Sequence, residues 1–68
     1  MTIDKIKLYM DENIFNYWTD LSNGDLPMEL KIYHLKRAKN QLEKEIKLGI
    51  LTDIKYIAEL NLINYLLS

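Results

Sequence analysis

The chain has 68 residues, a formal net charge of −1, no Cys, one His and an apolar fraction of 49%. A chain this short buries only about 60% of the surface its unfolded form exposes, and its core supplies roughly 3–5 kcal/mol. These figures exclude a disulfide scaffold, a Cys/His zinc site and compositional disorder, and give no bulk-charge case for a polyanionic partner; self-association or a partner protein becomes the default source of further stability.

Asp4, Lys5 and Lys7 interrupt the first ten residues, so no apolar signal core is present. No stretch approaches the ~20 apolar residues of a membrane span, and the expected location is the cytoplasm. Lys outnumbers Arg eight to one, and there are nine Ile, six Asn and no Val. That skew suits an AT-rich genome, such as that of a low-GC bacterium or its phage.

Two points of punctuation divide the chain. One is Ser22-Asn23-Gly24-Asp25 ahead of Pro27, and the other is Gly49. The first segment, about 3–21, has Thr2 as a candidate N-cap. Ile3, Ile6, Met10, Ile14, Tyr17, Trp18 and Leu21 fall on one helical arc of about 120°, with Tyr17 and Trp18 expected in the core. Leu8 and Phe15 lie on the opposite side. Either Asp11 caps a second, shorter helix and re-aims Phe15, or one helix carries two apolar faces.

The second segment, about 27–48, places Met28, Ile32, Leu35, Lys39, Leu42 and Ile46 in a heptad row with Lys39 inside it. Lys39 can pair with Glu43 or fix register, and Glu43–Lys47 is a second candidate pair. Gly49 suits a left-handed C-terminal cap. The third segment, about 53–67, has Thr52 as its expected N-cap. It carries two apolar arcs: Tyr56, Leu60, Ile63 and Leu67, then Ile54, Ala58, Leu62 and Tyr65. Lys55 and Glu59 between them are expected to be wet. The expected fold is all-α, a single helical domain over 1–68. It has three short helices, or four where Asp11 breaks the first, dominated by an antiparallel hairpin of the second and third segments.

A helix apolar on two sides needs two neighbours. The expected interface is therefore Leu62, Leu66, Tyr65, Phe15 and Leu8, and the expected partner is a second copy, as in a homodimer, or a larger protein that the chain inhibits or adapts. Tyr9 and Tyr33 are further interface candidates. The alternative is a small nucleic-acid-binding regulator. Residues 27–48 hold six basic and three acidic side chains, with Lys36, Arg37, Lys44 and Lys47 on one strip, whereas residues 1–26 hold two basic and five acidic ones. His34 stands alone as a surface residue. The adjacent Asp11 and Glu12 diverge on a helix, so they form no paired-carboxylate site. No nucleophile–base spacing, phosphate loop or metal spacing is present, so no catalytic residue, cofactor or metal is expected.

Ile57-Ala58-Glu59-Leu60-Asn61 resembles in part the Ser-x-Glu-Leu-Asp signature of small two-helix aspartyl-phosphate phosphatases of spore-formers. Only Glu59 and Leu60 match. Ile57 replaces the Ser and Asn61 the Asp, so the chain is not assigned to that family.

Overall fold

A computed structural model describes residues 3–68, so the expected Thr2 cap lies outside the described residues. Four helices follow one another: α1 (Ile3–Tyr9), α2 (Glu12–Asn23), α3 (Met28–Lys47) and α4 (Ile54–Leu67). The described residues contain no strand.

The first segment is broken, and Asp11 is the reason. Its backbone lies in the extended region, and its Oδ1 accepts from the N–H groups of Asn13 at 2.9 Å and Ile14 at 3.2 Å. Two orphan donors of α2 are thereby satisfied. The break also resolves a conflict of phase. Ile6 and Phe15 are nine residues apart, so one straight helix at about 100° per residue would point them in opposite directions. Both are buried in the same core. The cost falls on Ile14 and Tyr17, which the break turns outward, so the expected core position of Tyr17 is corrected.

The other ends follow their local chemistry. Gly49 adopts φ 77°, its N–H reaches Ile46 O, and Ile50 N–H reaches Glu45 O. That is a Schellman closure of α3, at the position where an L side chain would be strained. Asp53, rather than Thr52, caps α4, its carboxylate accepting from Lys55 N–H at 3.0 Å. Lys31 Nζ donates to Ser22 O at 2.9 Å, so a cation from α3 satisfies a carbonyl in the last turn of α2.

Every helix contributes to the core: Ile6, then Phe15 and Trp18, then Leu35 and Leu42, then Ala58, Leu62 and Ile63. The helix α4 is its centre. The other three pack mainly on it, and its pairing with α3 is the most extensive. The first apolar arc of α4 and the middle of the second, Ala58 and Leu62, thus find neighbours inside the chain, while Ile54 and Tyr65 stay exposed. Leu62 is 0% exposed, Phe15 is buried and Leu66 is half-buried against the core. The expectation that Leu62, Leu66 and Phe15 form a surplus outer surface is corrected: α1 and α2, separated by the break, both pack on α4 and supply the second neighbour that it needs.

The heptad row of α3 is covered in part. Leu35 and Leu42 are buried and Ile46 is half-buried, but Met28 and Ile32 are exposed. Twenty residues of α3 span about 30 Å against about 21 Å for the fourteen of α4, so part of α3 overhangs its partner.

Candidate functional site

With the central arc of α4 consumed by the core, the surface retains apolar side chains in two places of interest. The first is the outer face of α4. Ile54, Ile57 and Tyr65 are exposed there, beside the exposed Asn64 and Ser68 and the half-buried Asn61. These six fall within an arc of about 100° on the helix, and none is charged. Tyr65 is the member of the expected interface set that lies on this face. Leu66 is turned toward the core, and Leu8 stands apart on α1, 79% exposed and beside Asp4, Lys7 and Glu12.

The second place is a groove between α2 and α3. Each of these helices leans on α4 more than on the other, which leaves a space of about 360 Å³ between them. Tyr17, Trp18, His34, Arg37, Ala38 and Gln41 line it. The Trp18 ring is fixed from two sides. Its indole N–H donates to Glu59 Oε2 at 2.9 Å, and Tyr17 meets it edge-on with centroids 4.9 Å apart. Glu59, expected to be wet beside Lys55, is thus a half-buried acceptor. On the opposite wall, Tyr33 packs edge-on against His34 at 5.5 Å. Periodicity alone could not pair these walls. Tyr17 and Arg37 were each visible in the sequence, but nothing there placed α2 beside that face of α3.

The basic strip is where the sequence put it. Lys36, Arg37, Lys44 and Lys47 are all exposed on α3, and Arg37 enters the groove. Lys39 pairs with Glu43 at 3.9 Å, an ion pair between half-exposed partners that is worth little. A further space, of about 30 Å³, lies among Met10, Asp11, Ile14, Lys55, Tyr56 and Glu59 and is too small for more than a water-sized guest. Among the described residues, no three His, Asp or Glu side chains gather where they could hold a metal ion, and no helix is long and apolar enough to cross a membrane. No protein-family model, curated protein or solved structure matches the chain.

Proposed function

We propose that this chain is a small, non-catalytic protein-interaction module of the cytoplasm that self-associates through the outer face of α4. The observation that carries the reading is the exposure of Ile54, Ile57 and Tyr65 on an arc without charge. Interface centres are depleted of charge and enriched in Tyr, and a face that lacks charge can meet its own copy without like-charge repulsion or the desolvation of an ion. A two-fold pairing would lay the same arc on itself, with the exposed Asn64 able to hydrogen-bond within it. The length of the chain adds weight, since so short a core gains from any further apolar burial.

The reading includes an antiparallel arrangement of α3 and α4. The short connection from Leu48 to Asp53 supports it. So does the position of the overhang: a shorter α4 running back along α3 from that connection leaves Met28 and Ile32 uncovered. The residue usage still points to a phage or a low-GC bacterium as the source.

Sedimentation equilibrium of the purified chain tests the reading. The wild type should sediment at twice 8.1 kDa. The double variant Ile57→Glu, Tyr65→Glu should sediment as a monomer with its helical circular dichroism retained, because both positions are exposed. A wild type that stays monomeric at all concentrations overturns it. So does a double variant that remains dimeric.

A further inference from the structure

We infer that the groove between α2 and α3 is a docking site for an acidic amphipathic peptide segment of another protein, with an apolar side chain against Tyr17 and Trp18 and a carboxylate on Arg37. Three observations converge on this occupant. The aromatic wall is preorganised: Trp18 is held by Glu59 and Tyr17, while Tyr17 itself is 57% exposed and available for contact. Rigid aromatic rings paired with Arg are the composition of interface hot spots, and a preformed wall spares the ordering entropy of binding. The space of about 360 Å³ is an open groove, enough for one large side chain and its neighbour rather than a folded surface.

Charge then selects the partner. Arg37 presents a planar fork suited to a carboxylate. Lys36 and Lys44 are exposed on the same helix, and Lys44, seven residues from Arg37, lies on nearly the same bearing. The opposite wall, Tyr17 and Trp18, is aromatic and uncharged. The helix α2 carries Glu12 and Asp20, both outside the groove lining, and no basic residue. A nucleic-acid strand would find one phosphate contact at Arg37 and no cation on the α2 side to continue it. A peptide can turn its carboxylates toward α3 and its apolar side chains toward α2, which matches the asymmetry. This surface is separate from the outer face of α4, so the proposal stands whether or not the chain dimerises.

Trp18 is the one Trp in the chain, so its emission reports the groove directly. The probes are the capped peptide Glu-Glu-Leu-Phe-Glu-Glu, its counterpart Lys-Lys-Leu-Phe-Lys-Lys, and oligo(dT), each titrated into the full chain. The acidic peptide should shift or quench the emission saturably, and the basic peptide should not. Arg37→Glu should weaken that binding by more than about tenfold, the scale of a hot-spot loss. Tyr17→Ala should weaken it too. Both residues are exposed, and unchanged thermal melts would show that the fold survives. Absence of a response to the acidic peptide overturns the proposal, as does stronger binding of oligo(dT) or of the basic peptide. Acidic-peptide binding that is indifferent to Arg37→Glu overturns it as well.

Discussion

Trp18 and Glu59 stand 41 positions apart and meet through a hydrogen bond of 2.9 Å. Removing Glu59 takes away the acceptor of a partly buried indole N–H, and leaving such a donor unmade costs about 1–3 kcal/mol. Glu59→Ala is therefore expected to lower the unfolding free energy obtained from urea melts by about that amount, with a lower midpoint, and to change the Trp18 emission. Glu59→Gln, which keeps an acceptor oxygen, should lose less. An unchanged midpoint in Glu59→Ala would mean that the bond contributes nothing net. At this scale the sequence was partly legible. Trp18 sits on an apolar stripe, and burial follows from that. Glu59 sits on a polar strip, where a helical wheel gives its bearing but cannot say which neighbour arrives there.

The division between α1 and α2 rests on one side chain. Replacing an N-cap Asp by Ala costs about 0.5–2 kcal/mol. Asp11→Ala should destabilise the chain within that range, whereas Asp11→Asn and Asp11→Ser, which still cap, should remain near the wild type; thermal unfolding followed by circular dichroism measures all three. If Asp11→Ala melts with the wild type, the break is set by packing alone. Caps were the most legible features of the sequence because they are local. Gly49 appears as expected, and the cap of α4 is displaced by one residue, from Thr52 to Asp53. The choice between one helix and two was not legible. Leu8 and Phe15, seven apart, were compatible with both, and only the shared burial of Ile6 and Phe15 against α4 decides it.

For the molecule as a whole, a small core makes each member count. Leu62 is fully buried at the centre of α4. Truncating a buried Leu to Ala costs about 2–5 kcal/mol, comparable with the roughly 3–5 kcal/mol that a core of this size provides. Leu62→Ala is therefore expected to be largely unfolded in circular dichroism at room temperature, while Leu8→Ala, at an exposed position, should match the wild type. A folded Leu62→Ala chain would show that association supplies more stability than the core does. The sequence revealed correctly that α4 is apolar on both sides. It did not reveal that one short chain could bury Ala58 and Leu62 of the second arc while leaving Ile54 and Tyr65 exposed, because a wheel drawn for each segment holds no information about how segments are placed against one another.

The dependence of α1, α2 and α3 on α4 also sets an order in time. A ribosome makes the chain from its N-terminus, so the first three helices emerge before the surface on which they pack exists. Until Leu62 and Ile63 clear the exit tunnel, Ile6, Phe15, Trp18, Leu35 and Leu42 have no shared interior to enter. Folding of this unit therefore waits for α4, and a nascent chain stalled before α4 would present its future core to chaperones and proteases.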